Sequence, residues 1–117
     1  MPYMLLMIEP PEQRATRSEA EGRAVYDRML KYAADLKKRG LLLATESLKS
    51  QSDAVRLQVR GGRTHIVDGP FSETKEMIGG FFLVDCKTRE EAVEIASTCP
   101  AAEWCTVEVR ALAPCYE

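Results

Sequence analysis

Apolar positions along the chain fall into short runs and alternations that predict a protein rich in strands. Residues 3–8 are apolar at every position, which is typical of a central strand covered on both faces. Residues 81–84 form a second continuous apolar run and predict another buried strand. Apolar and polar residues alternate over 55–60 and 105–110, which predicts strands with one dry face each. A shorter run at 41–45 predicts one more strand.

Two serine- or threonine-led motifs predict where two helices begin. Ser18 and Glu21 have the spacing of a capping box, and Thr88 and Glu91 repeat it. Apolar residues then recur at helical spacing, at Val25, Met29, Tyr32 and Leu36 in the first helix and at Ala92, Ile95, Ala96 and Cys99 in the second. Gly40 follows three cationic residues and predicts the end of the first helix.

The glycine pair at 61–62 predicts a two-residue hairpin turn, because such turns require positive φ. The turn sets the register of the strands on either side and places Gln58 opposite His65 and Val55 opposite Asp68. His65 is therefore predicted to lie on the polar face. Asp68 is predicted at a strand end, on the apolar side that faces the helices.

Residues 68–70 (Asp-Gly-Pro) predict a tight chain reversal, since glycine permits positive φ and proline restricts it. The charged residues at 72–76 are too few for a full helix and predict a loop or a single helical turn. The glycines at 79–80 then predict re-entry into a strand that begins at Phe81.

The element order β-α-β-β-β-β-α-β predicts a ferredoxin-like α+β sandwich, in which two helices cover one face of an antiparallel sheet. The other face is predicted to carry apolar residues together with Arg56, Gln58, His65, Glu108 and Arg110. An uncovered face of this kind commonly packs against a second subunit, so a homodimer is expected.

Length, net charge and the numbers of cysteine and histidine residues limit the partners and cofactors that the chain is expected to bind. A chain of 117 residues is expected to form a single domain over 1–117, and its formal net charge of −2 offers no overall attraction for nucleic acid or anionic membranes. The apolar start lacks the features of a signal peptide, which favours a cytoplasmic protein. Four cysteines without C-x-x-C spacing are expected to be free thiols. No metal or cofactor is predicted, because His65 is the single histidine and no phosphate-binding glycine loop occurs.

The segment 67–82 (VDGPFSETKEMIGGFF), together with 90–92, Pro100 and 107–110, resembles the YCII-related family and in particular its DGPF branch. The resemblance covers nearly the whole chain. It implies a dimeric α+β barrel with a cleft near Asp68. It also implies a His–Asp acid/base pair, as proposed for the wider family, and small-molecule processing by some relatives. Members of the branch tend to be associated with extracytoplasmic-function sigma factors.

The chain departs from the family at the proposed acid/base pair. Residues 15–40, which include the first helix, contain no histidine. Only Asp68 matches the pair, while Lys75 and Glu76 match the charged part of the branch motif. The pair is therefore not carried over whole, and His65 is the one imidazole that remains as a candidate.

Two interpretations of this charged segment stay open. Asp68 acts as a general base if the cleft removes it from water, with Lys75 orienting an anionic substrate. Alternatively, Asp68 caps its own turn and pairs with Lys75. His65 is either an acid/base group or a hydrogen-bonded residue of the polar face.

The remaining candidates are polar residues on the strands. Glu76, Glu108 and Arg110 are candidates for lining a polar pocket, and Glu108 and Arg110 alternatively form ion pairs at a dimer interface. The candidates for binding a substrate are Arg56, Gln58, Glu108 and Arg110. The function predicted is a small-molecule-binding dimer, with lyase or isomerase chemistry as one form of it. The alternative is a non-enzymatic regulatory or interaction module that acts with a sigma factor.

Overall fold

The computed structural model describes residues 2–117, and its elements follow the predicted order. The strands and helices are β1 (Pro2–Glu9), α1 (Glu19–Lys38), β2 (Leu42–Ser47), β3 (Val55–Arg60), β4 (Arg63–Asp68), β5 (Met77–Asp85), α2 (Arg89–Ser97) and β6 (Thr106–Ala111). Short 3-10 helices occupy Gln13–Thr16, Gln51–Asp53 and Pro100–Glu103. Within residues 2–117, no helix combines the length and the apolar character needed to cross a membrane.

Four strands form one antiparallel sheet in the order β2-β5-β1-β6, and both helices pack on one of its faces. The α+β sandwich of ferredoxin-like type is thus confirmed. The core lies between sheet and helices, where Leu5, Val84 and Leu36 are fully buried. Tyr32 of α1 packs edge-on against Phe82, with ring centroids 5.3 Å apart.

Tyr32 also connects the two helices, because its hydroxyl donates a hydrogen bond of 2.6 Å to the carbonyl oxygen of Ile95 in α2. Burial raises the pKa of Tyr32 to about 12. A buried phenol with a satisfied hydroxyl therefore joins α1, α2 and the sheet.

The helix ends agree with the predicted signals in all but two details. Helix α2 ends at Ser97, so Cys99, which was predicted to lie in this helix, follows it. Ser18 and Glu21 form the full reciprocal capping box. Thr88 accepts from the backbone N–H of Glu91, but the Glu91 carboxylate accepts from the N–H of Lys87 and not from Thr88. The second capping box is therefore only half formed, and its prediction was wrong in that respect. At the end of α1, Gly40 has a φ of +73°.

Strand β5 begins at Met77 and not at Phe81, so the prediction for its start was wrong. The glycines at 79–80 lie inside the strand. Pairing with β1 shifts by one residue there, since Met7 opposes Gly80 whereas Ile8 opposes Ile78. The glycines allow close approach by neighbouring groups and a bulge at this point, rather than ending a loop.

The hairpin of β3 and β4 has the predicted register and glycine turn, with φ of +56° at Gly61 and +75° at Gly62. It forms a separate two-stranded sheet, here called the arm (residues 55–68), and every residue in it is exposed. The Cα radius of gyration is 16.1 Å, whereas a compact chain of this length has a radius of about 13 Å.

The arm corrects two predictions. Strand β3 has no dry face, and Asp68 does not point towards the helices, because the hairpin projects from the body of the protein. Likewise Arg56, Gln58 and His65 do not share a sheet face with Glu108 and Arg110. Alternation of apolar and polar residues predicts a strand with one apolar face, but it does not predict whether another layer of the protein covers that face.

The four-stranded sheet has one face without a helix, here called the open face. It carries apolar residues from β1 and their partners on β5, namely Met4, Leu6, Ile8, Ile78, Phe81 and Leu83. Glu108 opposes Leu6 and Arg110 opposes Met4, so both charged residues lie on this face, as predicted. Their side chains approach to 3.7 Å.

Candidate functional site

Helix α1 is buried against the sheet only near its C-terminal end. Its two buried residues are Tyr32 and Leu36, whereas Tyr26 and Leu30, which precede them by six residues each, are about half exposed at 50% and 49%. A cavity of about 580 Å³ lies between residues 19–33 of α1 and the sheet. This volume falls within the range of small-molecule sites, roughly 300–1,000 Å³.

The walls of the cavity are mainly apolar, with contributions from β1, α1, β5 and the segment after α2, through Met7, Val25, Met29, Ala33, Phe82 and Trp104. Gly22, Gly79 and Gly80 also line it. A Cβ at Gly22 would meet no atom within 4 Å, so this glycine leaves open space beside the helix. An apolar hollow of this kind favours a ligand with an apolar body.

An ion pair between Glu9 and Arg14 lies at one end of this cavity. Glu9 ends β1 on the helix-facing side and is 6% exposed. Its Oε1 accepts from Nε of Arg14 at 2.5 Å, and the Arg14 side chain is 30% exposed. A carboxylate this deeply buried requires a compensating charge.

Arg14 also connects three strand ends. Its Nη1 donates to the carbonyl oxygen of Leu48, just after β2, at 2.7 Å, and its Nη2 donates to that of Gly79 in β5 at 3.2 Å. With Glu9 at the end of β1, the guanidinium joins three strands through charge-assisted hydrogen bonds. The cavity therefore ends at a cross-linked group of polar atoms.

Gly79 is required by this arrangement. A Cβ at this position would lie 2.6 Å from Oε2 of Glu9 and 2.8 Å from Nη2 of Arg14, both well inside contact distance. The ion pair thus occupies the space that any side chain at this position would need. Gly79 therefore has a specific structural role beside the cavity.

Glu9 has spare hydrogen-bonding capacity that faces the cavity. No group within residues 2–117 donates to its Oε2, and this atom is not among those sealed from solvent without a partner. Since the carboxylate lines the cavity, Oε2 is an acceptor available to a bound molecule.

Cys105 also lines the cavity but is poorly suited to act as a nucleophile. Burial raises the pKa of its thiol to about 11, and the negative charge of Glu9 contributes in the same direction. The thiol therefore remains protonated at neutral pH. The chemistry available in the cavity centres on the carboxylate and the guanidinium.

Trp104 forms a wall of the cavity that cationic side chains hold in place. The guanidinium carbons of Arg17 and Arg28 lie 5.9 Å and 5.3 Å from the ring centroid. Arg28 also pairs with Glu103 at 2.6 Å, and the pair raises the pKa of Arg28. Gln13 donates to the carbonyl oxygen of Trp104 at 2.7 Å.

The predicted catalytic residues Asp68, Lys75 and Glu76 do not line this cavity. Asp68 lies exposed at the base of the arm, and its side chain makes no hydrogen bond or ion pair within residues 2–117. Lys75 and Glu76 are exposed in the following loop, and the considered pairing of Asp68 with Lys75 is not formed in the described part of the chain. The turn is held instead by Gly69, whose N–H donates to the carbonyl oxygen of Ala54 at 2.7 Å.

Three predicted residues do come together in a second hollow of about 410 Å³, between the arm and residues 70–74. It is lined by Arg56, Gln58 and His65. Arg56 lies 3.9 Å over the ring of Phe71 and donates to the hydroxyl of Thr74 at 3.2 Å. Asp68 does not line this hollow, nor do Glu108 and Arg110, which lie on the open face.

Sequence reasoning missed Glu9 and Arg14. A signal for Glu9 existed, because Leu5 and Met7 face the helices and the same alternation places Glu9 on that side. A charge at a helix-facing position predicts either a partner or a site. Arg14 carried no such signal, since it lies in a short 3-10 helix whose residues show no periodicity.

Comparisons with known proteins agree with the resemblance to the YCII-related family. The family model for the YCII-related domain matches residues 1–115. An uncharacterised protein of Rhizobium meliloti (strain 1021) is 44% identical over 62 residues, which is 51% of this chain and 50% of that protein. The chain thus spans about half the length of this curated relative.

Proposed function

The chain belongs to the YCII-related family, and from this premise we propose that it is a small-molecule-binding protein whose ligand occupies the cavity between α1 and the sheet. The observation that carries the proposal is an apolar cavity of about 580 Å³ that ends at a nearly buried ion pair. Apolar walls with a few convergent polar groups are the usual composition of a ligand site.

Glu9 is the acidic group of this proposal. Its carboxylate lies inside the cavity with Oε2 unpartnered, so it is placed to accept a proton or a hydrogen bond from a bound molecule. Acid/base chemistry of the lyase or isomerase type would use this carboxylate. Catalysis by Asp68, Lys75 and Glu76 of the motif, and by His65 in the strand before it, stays a prediction from the sequence.

A neutral fluorescent dye, N-phenyl-1-naphthylamine, tests the cavity. Its emission rises on entry into an apolar site, and we expect saturable binding to the wild type. Ala33→Phe fills the cavity and should weaken binding at least tenfold. Ala34→Phe is the matched control, since Ala34 is the exposed neighbour on the same helix and does not line the cavity.

If both phenylalanine variants retain the circular dichroism of the wild type, weaker binding by Ala33→Phe alone shows that the dye occupies the cavity. Equal binding by the two variants would place the dye outside the cavity. No saturable binding by the wild type would remove the main support for a ligand site here.

The arm favours a second candidate function, that of an assembly module. Its apolar face consists of Val55, Leu57, Val59 and Ile66, each between 55% and 59% exposed. A two-stranded hairpin with no covering layer is at best marginally stable in water. Exposed apolar surface of this kind typically marks an interaction site.

We propose a second copy of the chain as the occupant. The same chain carries two uncovered apolar surfaces, the arm and the open face, so a two-fold pair of chains can cover both at once. Both surfaces carry charges of both signs: the arm has three arginines and Asp68, and the open face has Glu46, Glu108 and Arg110, so this arrangement allows ion pairs between the two chains. Association with a sigma factor stays an implication of the family resemblance.

Sedimentation equilibrium at micromolar concentration tests the dimer, with an expected mass of twice the 13.1 kDa chain. Leu57→Glu should yield a monomer because it places a charge on the apolar face of the arm. Gln58→Glu, one residue later on the opposite face, should remain dimeric. A wild-type monomer would reject the proposal, and dimerisation of both variants would move the interface away from the arm.

A further inference from the structure

The polar end of the cavity offers a specific hydrogen-bonding pattern. Glu9 contributes a free acceptor through Oε2. Arg14 contributes donors, because a guanidinium carries five N–H groups and three of those of Arg14 are engaged by Glu9, Leu48 and Gly79. The free N–H groups lie one on each terminal nitrogen.

The acceptor and a donor nitrogen both lie next to Gly79. Oε2 of Glu9 and Nη2 of Arg14 both come within 2.8 Å of the point at which a Cβ of Gly79 would stand. A ligand head group that approaches over Gly79 therefore meets an acceptor and a donor together. A head group that carries one donor next to one acceptor matches both.

Charge limits the class of head group further. The carboxylate and the guanidinium neutralise each other, so the polar end of the cavity holds no surplus charge for an ionic ligand. An anion would face the Glu9 carboxylate, and a cation would face the Arg14 guanidinium. Among the other charged residues of the lining, Glu19 and Arg23 form an exposed ion pair with each other. Arg17 lies over the ring of Trp104, and Glu46 is paired with Phe81 on the open face of the sheet.

We infer that the ligand is a neutral cyclic amide on a planar apolar body, with its N–H donating to Oε2 of Glu9 and its carbonyl oxygen accepting from Arg14. In a cyclic amide these two groups lie on the same edge, as the pair requires. The apolar body would lie between Met29 and Phe82, with Trp104 in the wall. This inference rests on the cavity being the ligand site proposed above.

A series of four two-ring probes tests the head group by titration calorimetry or by displacement of the neutral dye. 2-Quinolone is the cyclic amide, and quinoline lacks its N–H and carbonyl groups. 2-Naphthoate supplies an anion and 2-naphthylmethylammonium a cation of similar size. We expect 2-quinolone to bind at least about tenfold more tightly than each of the others, the equivalent of one well-placed polar contact.

Glu9→Gln provides a matched change of hydrogen-bonding character. Its amide oxygen retains the bond to Arg14, and an NH₂ donor replaces the free acceptor. Binding of 2-quinolone should fall about tenfold, whereas quinoline, whose ring nitrogen is an acceptor, should bind more tightly than to the wild type. Because the wild-type series stands by itself, a poorly folding variant does not remove the test.

The possible results distinguish failure of the cyclic-amide inference from failure of the proposal that the cavity is a ligand site. Equal binding of 2-quinolone and quinoline to the wild type would refute the amide head group and leave the cavity as a ligand site. Strongest binding of the naphthoate or of the ammonium probe would assign a charged ligand and refute it too. Absence of binding by all four probes and by the dye would refute both.

Discussion

The ion pair between Glu9 and Arg14 should stabilise the fold by an amount that a double-mutant cycle can measure. Arg14→Gln leaves a carboxylate that is only 8% exposed without its cation. Removing one partner of a buried pair costs about 3–5 kcal/mol, and partial solvent access to Arg14 reduces our expectation to about 2–3 kcal/mol. Completing the cycle with Glu9→Gln should give a coupling energy of about 1–2 kcal/mol.

Urea unfolding provides the assay. Trp104 is the single tryptophan and packs in the cavity wall, so its fluorescence reports the folded state, with circular dichroism as a second probe. Arg23→Gln is the matched control because Arg23 pairs with Glu19 at 2.9 Å, but with both side chains more than three-quarters exposed. An exposed pair of this kind contributes about 0–1 kcal/mol.

Arg14→Lys separates charge from geometry. Lysine keeps the positive charge but loses the planar group that reaches Glu9, Leu48 and Gly79 together, so we expect an intermediate loss. The reasoning would be refuted by a coupling energy below about 0.5 kcal/mol, the usual limit of additivity for independent sites. Equal effects of Arg14→Gln and Arg23→Gln would refute it as well.

Three further predictions follow from local geometry. Gly22→Ala should raise the free energy of unfolding by about 0.5–1 kcal/mol, since the residue is inside α1 and a Cβ there meets no atom within 4 Å; the urea midpoint checks this. Gly69→Ala should destabilise the arm, because its Cβ would overlap the carbonyl oxygen of Gln51. Faster amide hydrogen exchange in β3 and β4 is the expected result. Burial raises the pKa of Tyr32 from 10.0 to about 12, so the folded state holds the phenol proton more tightly than the unfolded state. The resulting contribution to the free energy of unfolding is fully present below pH 10 and is lost as pH rises towards 12. Tyr32→Phe should flatten the pH dependence of the urea midpoint in that window, and an unchanged slope would contradict the assignment.

Much of the fold could be predicted because its signals are local. The turn at 61–62 sets the pairing of Gln58 with His65 through backbone geometry alone, and the structure has this register. Ser18 and Glu21 are three residues apart and close the first capping box without help from the rest of the chain. Such signals require only neighbours along the chain.

The candidate site could not be predicted from the sequence, because its contacts join residues that are far apart along the chain. Arg14 bonds to Gly79 across 65 positions of sequence and to Leu48 across 34, so no window of the chain contains the group. The glycines at 79–80 were interpreted as a break before a strand, whereas they lie inside it and make room for the ion pair. Only the packed structure shows which atoms need that room.

The amino-acid sequence by itself determined the order of the elements, the helix starts and the hairpin register, because hydrophobic periodicity and turn chemistry act over a few residues. The tertiary structure alone decided that β3 and β4 leave the main sheet as an exposed arm, and that Glu9, Arg14 and Gly79 meet beside the cavity. Those features depend on how distant segments share space, and the burial of a charge or the exposure of a strand is a property of that shared space.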